Sequence, residues 1–175
     1  MLTDGVCEIS NVPNITDVHL LIEMMKILGS HIEFKNGCLH IDNRNAHNDK
    51  IDTNYASKLR ASYYFMGVLL SKYGKAEIAY PGGCVIGSRP INFHIEGFKK
   101  LGAKVEIEED NKYSITAEKL VGTDIFFDIA SVGATLNIMF AAVKAEGTTR
   151  IFNAAKEPEI VNVASFLNTM GAKVY

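Results

Sequence analysis

The 175 residues carry 18 Lys and Arg against 20 Asp and Glu, a formal net charge of −2, with 47% apolar and 22% charged residues. This balance excludes a disordered, collagen-like or coiled-coil chain and leaves no bulk attraction to nucleic acid or an anionic membrane. The apolar run from Tyr63 to Leu70 falls far short of the ~20 residues of a membrane span, and MLTDGVCEIS reads as neither a signal nor a transit sequence.

In chain order, GVCEISNV from Gly5 reads as a short strand, and DVHLLIEMMKILG as an amphipathic helix ending at Gly29. SHIEF and CLHID follow as strands joined by Asn36-Gly37, a type I′ hairpin signal. His40 precedes and His47 lies within DNRNAHNDK, which reads as a solvated loop. ASKLRASYYFMGVLLSKYG is a helix apolar on more than one face and hence expected to be buried. A strand from Gly74, GKAEIAYP, enters a Gly-rich loop, and the helix INFHIEGFKKLG leaves it and ends at Gly102. KVEIEE and KYSITA, across Asp110-Asn111, alternate with period 2. DIFFDIA reads as a strand, SVGATLNIMFAAVKAEG as a second buried helix, and GTTRIFNA as a strand from Gly147. EIVNVASFLNTMG is a helix to Gly171, and AKVY is a strand-like end.

These elements repeat. The strand-start glycines Gly5, Gly74 and Gly147 are spaced by 69 and 73 residues, and the helix-end glycines Gly29, Gly102 and Gly171 by 73 and 69. The unit reads helix, strand, loop, amphipathic helix, strand, strand, an α/β (α+β) repeat, with units of approximately 1–50, 51–118 and 119–175. Unit one lacks a buried helix before Gly5 and unit three a closing strand after Tyr175. The repeat therefore predicts a chain cut, at both ends, from a larger repeat protein.

Three cysteines without a CxxC fit reduced thiols. Cys7 and Cys38 read as small buried hydrophobes, and no His/Cys cluster has zinc spacing. Cys84 differs, because it sits in PGGCVIGSRP with Arg89 five residues on. A guanidinium and a helix N-terminus lower a thiol's pKa and favour a reactive thiolate. Gly82 and Gly87 are spaced as in a P-loop, but Ser88-Arg89 replaces its Lys-[Ser/Thr]. Adjacent Gly82 and Gly83 do not fit G-x-G-x-x-G. Arg60 and Gly133 lie 14 residues before Gly74 and Gly147, at the first turn of the two buried helices. There, free N–H groups and a guanidinium fork suit an anion. Ser131 as a helix cap and Arg60 as a surface cation remain the structural alternatives.

PGGCVIGSRP, SKLRAS, SVGAT, AEGTT and NAAKEPEIV resemble the UDP-N-acetylglucosamine enolpyruvyl transferases (1-carboxyvinyltransferases) over essentially all 175 residues. The resemblance implies an inverse α/β barrel lobe of the enolpyruvyl transferase type, built from β-α-β-α-β-β units, in this chain one partial lobe over 1–175. It implies a cytoplasmic transferase of the first committed step of peptidoglycan synthesis, with no cofactor or metal. Such an enzyme moves the enolpyruvyl group of phosphoenolpyruvate to the 3-hydroxyl of UDP-N-acetylglucosamine and releases phosphate. Cys84 matches the cysteine that donates a proton, adds covalently to phosphoenolpyruvate and is alkylated by fosfomycin; Arg89 lies on the phosphoenolpyruvate side. Arg60, Arg89, Pro90, Ile91, Asn92 and Phe93, with His94 behind them, match the UDP-sugar site. Ser131, Val132 and Gly133 complete it. Ile129 replaces a family lysine, and the family's N-terminal Lys-Asn pair and second lobe are not in this sequence. The partners implied are the two substrates and that second lobe, and the chain alone is expected to show no turnover. The alternative is a non-catalytic module, derived from this fold, that binds a UDP-sugar or a partner protein.

Overall fold

The computed structural model describes residues 1–51, 53–79, 91–108 and 112–175. Period-2 sequences pair locally. β1 (Val6–Ile9), β2 (His31–Lys35) and β3 (Cys38–Asp42) form an antiparallel sheet in the order β1-β3-β2. Asn36 and Gly37 at its hairpin both have positive φ, 52° and 73°, as a type I′ turn requires. The second sheet has the order β4-β5-β7-β6, built from β4 (Lys50–Ile51), β5 (Lys75–Ala79), β6 (Lys104–Ile107) and β7 (Lys112–Thr116). Its β5-β7-β6 part repeats the first sheet's order and antiparallel pairing. Here β4 joins β5 in parallel, and β8 (Asp124–Phe126) joins β9 (Arg150–Phe152) in the same way.

The amphipathic helices α1 (Thr16–Ile27), α4 (Asn92–Lys100) and α6 (Pro158–Thr169) end alike. Behind each, a glycine of positive φ donates its N–H to the carbonyl three residues back. The next residue donates five residues back: Gly29 to Lys26 and Ser30 to Met25, Gly102 to Lys99 and Ala103 to Phe98, Gly171 to Asn168 and Ala172 to Leu167. This is the Schellman closure, made three times.

Parallel pairs need a crossover, supplied by α3 (Tyr64–Tyr73) between β4 and β5 and by α5 (Val132–Ala142) between β8 and β9. Both helices are apolar around most of their circumference and are buried as expected. Met66, Leu69, Leu70, Ala134, Ile138 and Ala141 join Phe98 of α4 and Ile78 and Ile115 of the second sheet in the main core. Each large side chain buried there contributes roughly 1.5–3 kcal/mol. The two helices touch at backbone distance: a Cβ on Gly67 would lie 2.6 Å from Asn137 Oδ1 and closer still to the Asn137 carbonyl oxygen.

Three expectations need correction. The segment before Gly74 is not one helix but α2 (Thr53–Ala56), a 3₁₀ turn at Arg60–Tyr63 and then α3. Leu59 is extended, and buried Ser62 turns its hydroxyl back to the Ala56 carbonyl, a local bond that competes with the helix. AKVY is no strand, because the N–H and C=O of Val174 are taken by the Asn168 side chain. The polar stretch after β3 is not wholly solvated: Asn43 is buried, accepting from Ser30 Oγ, and the stretch ends in β4, too short to show a period. The Asp110-Asn111 turn lies outside the described residues.

Candidate functional site

Arg60 opens the 3₁₀ turn that leads into α3, so it occupies a tight turn ahead of the buried helix and not its first α-turn. Its guanidinium carbon lies 5.6 Å from the Tyr63 ring centre. At this distance a cation is attracted to the ring face. Tyr63 in turn meets the edge of His94, with 5.0 Å between ring centres and planes at 76°. His94 comes from the first turn of α4 and is 5% exposed. Burial, with the Arg60 charge adding to it, pushes its pKa down from 6.5 to about 4. The imidazole is therefore neutral at physiological pH.

Ser131 is the N-cap of α5, its hydroxyl accepting from the Ala134 N–H at 3.3 Å. The capping alternative is thus realised at this residue. Val132 and Gly133 form the first helical turn, where backbone N–H groups have no intrahelical acceptor. A Cβ on Gly133 would lie 2.7 Å from Tyr63 Oη and 3.2 Å from His94 Cε1. The two rings therefore stand against this turn, and only glycine lets them come so near.

Underneath lies a polar bridge in an apolar core. Asn137 is fully buried. Its Oδ1 accepts from the Gly67 N–H at 2.7 Å, and its Nδ2 donates to the Tyr63 carbonyl at 2.8 Å and approaches His94 Nδ1 at 3.0 Å. One side chain of α5 thereby connects α3 and α4.

Arg60, His94 and Ser131–Gly133 are thus gathered from three separate elements. Ile91 and Phe93 are directed elsewhere: Ile91 is buried in the main core, and the Phe93 ring packs 5.9 Å from that of Phe127. Asn92 is exposed as the first residue of α4. Cys84, Arg89 and Pro90 lie outside the described residues. Cys7 and Cys38 are half-buried strand residues, and burial raises the Cys38 thiol pKa, with Glu8 adding to it. Ile129 is 70% exposed. Among the described residues, no His, Cys, Asp and Glu side chains group as a metal site. No helix among them is long and apolar enough to cross a membrane.

Tyr63 and Asn137 were not singled out in the sequence. Asn137 had a usable signal, an amide in the otherwise apolar helix VGATLNIMFAA, which must find partners when buried. Tyr63 had none beyond following Arg60 by one turn. A separate groove of about 1000 Å³ between α5, β9 and α6 shares none of the clustered residues.

Solved structures place this architecture among the enolpyruvyl transferases. The enolpyruvyl transferase NikO from Streptomyces tendae matches 99% of this chain and 41% of its own with a TM-score of 0.86, at 18% identity. EPSP synthase from Acinetobacter baumannii matches 99% and 40%, with a TM-score of 0.72 at 18% identity. The family model described as EPSP synthase (3-phosphoshikimate 1-carboxyvinyltransferase) matches residues 1–175, and the chain belongs to that family. Among curated relatives, the UDP-N-acetylglucosamine 1-carboxyvinyltransferase of Clostridium botulinum is 50% identical over 175 residues, covering 99% of this chain and 42% of that protein. The UDP-N-acetylglucosamine 1-carboxyvinyltransferase 2 of Clostridium acetobutylicum is 48% identical over 174 residues, covering 99% and 41%. The chain thus spans about two fifths of the length of the curated relatives it matches.

Proposed function

We propose that this chain supplies most of one lobe of a UDP-N-acetylglucosamine enolpyruvyl transferase, with repeat units near 1–50, 51–118 and 119–175. The observation that carries the reading is the convergence of Arg60, His94 and the first turn of α5 on one spot. It is supported by the identity of about half with relatives bearing that name. In the sequence, Cys84 and Arg89 fall between β5 and the helix that carries His94.

In this reading Arg60 and the α5 N–H groups hold the diphosphate of UDP-N-acetylglucosamine, with Arg89, Pro90, Asn92 and His94 along the nucleotide. Arg89 also faces phosphoenolpyruvate. The sugar 3-hydroxyl gives its proton to a base supplied by the second lobe and adds to C2 of phosphoenolpyruvate, while Cys84 delivers a proton to C3. Loss of a proton from the resulting methyl group then expels inorganic phosphate and restores the vinyl group on the sugar. An acid and fixed cations are what such chemistry demands of a protein. The setting is the first committed step of peptidoglycan synthesis, in the cytoplasm. The relatives' remaining length would contribute the second lobe, so the 175 residues alone are expected to give no turnover in a phosphate-release assay.

The test is titration of UDP-N-acetylglucosamine into the isotope-labelled chain by NMR. Shifts are expected at Arg60, His94 and Gly133. Arg60→Ala is expected to weaken binding about tenfold, the scale of one charged hydrogen bond. Shifts confined to other residues, or an affinity indifferent to Arg60, would overturn the reading.

A further inference from the structure

The bonds of Asn137 determine more than helix packing. An amide's oxygen and nitrogen are told apart by their partners. Gly67 N–H can only donate, so the atom 2.7 Å from it must be Oδ1. The Tyr63 carbonyl can only accept, so the atom 2.8 Å from it must be Nδ2. Both are backbone groups at the start of α3, and together they leave the amide no freedom to flip. Its second N–H then points at His94 Nδ1, 3.0 Å away. That nitrogen must accept, and an imidazole that accepts at Nδ1 while neutral carries its proton on Nε2.

We propose that Asn137 is a positioning residue: its amide, oriented by the backbone of α3, holds His94 as the neutral imidazole protonated at Nε2. Cε1, the atom between the two nitrogens, lies 3.2 Å from the position of a Cβ on Gly133. The ring therefore meets the first turn of α5 through Cε1, the carbon bonded to the nitrogen that carries this proton. His94 then offers a hydrogen-bond donor to an anion there without bringing a charge into a buried place. That use rests on the function proposed above, whereas the tautomer does not.

The groups facing His94 among the described residues are Arg60 and Tyr63 from the 3₁₀ turn. α5 itself contains no titratable side chain. The Tyr63 carbonyl accepts from the Asn137 amide, Arg60 can only donate, and the Arg60 charge opposes the imidazolium.

The experiment is a long-range ¹H–¹⁵N correlation of the histidine rings in the labelled 175-residue chain, without ligand, across pH. Wild type is expected to show the Nε2–H tautomer for His94, neutral down to pH about 5. In Asn137→Asp a carboxylate can only accept, so His94 should carry a proton on Nδ1 and titrate at least tenfold more readily, about one pH unit higher. Asn137→Leu, with no donor, should lose the single tautomer. An Nδ1–H signal in wild type would overturn the proposal. So would an unchanged His94 spectrum in folded Asn137→Asp; if that variant does not fold, the wild-type tautomer decides alone. Adding UDP-N-acetylglucosamine should then move Nε2 and leave Nδ1 in place. The expected tautomer with no movement supports this assignment and counts against the substrate reading instead.

Discussion

Replacing Gly67 by alanine sets two effects of opposite sign against each other. Inside a helix, alanine is favoured over glycine by roughly 1 kcal/mol. The structure predicts a net loss. The new Cβ would fall within contact distance of the Asn137 carbonyl oxygen, 2.6 Å from its Oδ1 and 3.1 Å from its carbonyl carbon. That carbonyl belongs to the middle of α5 and cannot rotate away, so the helices must part by about 1 Å in a core that packs like a crystal. Overpacking of this severity costs about 3–4 kcal/mol, and helix propensity returns about 1, leaving a net loss of about 2–3 kcal/mol. Gly97→Ala is the internal control. Its Cβ would meet Cγ1 of Ile138 at 2.7 Å and the Cδ1 beyond it, the end of a side chain that can turn aside. A loss below about 1 kcal/mol is expected there. Ile138→Val, which removes Cδ1, should relieve Gly97→Ala and leave Gly67→Ala unrelieved, a coupling of about 0.5–1 kcal/mol in a double-mutant cycle. Urea unfolding followed by circular dichroism at constant m reads all of these. A Gly67→Ala chain as stable as wild type, or more so, would refute the close approach of α3 and α5.

His94 gives stability a pH dependence of known sign. Its pKa is about 4 when folded and 6.5 when free, so the unfolded chain binds the extra proton and stability falls as pH drops from 6.5 to 4. The loss reaches at most about 3 kcal/mol, and urea midpoints of a His94→Gln chain should lack this increment. Ser131→Ala is expected to cost about 1 kcal/mol through the lost cap. Ser131→Asp should keep that stability but weaken UDP-N-acetylglucosamine binding, and equal binding would leave Ser131 a cap alone. With a mild alkylating agent and peptide mapping, Cys84 is expected to react before Cys7 and Cys38; preferential labelling of either strand cysteine would refute a reactive loop thiol.

The repeat was legible because its markers are local. A glycine behind a helix and an Asn-Gly turn act through their own backbone angles, so Gly29, Gly102, Gly171 and Asn36-Gly37 could be read without the fold. The first turn of α5 was legible for the same reason, Ser131 being a cap and Gly133 small. What was missed depends on contacts across the chain. The break before α3 turns on Ser62 reaching Ala56, a choice between two local bonds that apolar periodicity does not weigh. AKVY alternates like a strand, yet Asn168 occupies the backbone of Val174. Tyr63 acquires meaning only when His94 and Gly133 are brought against it. Ile91 and Phe93 sit inside a motif associated with ligand, yet both side chains serve the core.

The Asn137 bridge has a kinetic consequence. Its partners lie 70, 74 and 43 residues away along the chain, whereas the first sheet closes within residues 6–42. Short loops close early in folding, and contacts between distant segments must wait until the intervening chain is ordered. The sheet of unit one can therefore assemble as an early foldon, while the cluster of Arg60, His94 and Gly133 exists only after α3, α4 and α5 have docked. A partly folded form with only the first sheet assembled lacks the site. A ligand held there should slow amide exchange throughout the α3–α5 core and leave the β2–β3 hairpin exchanging as before.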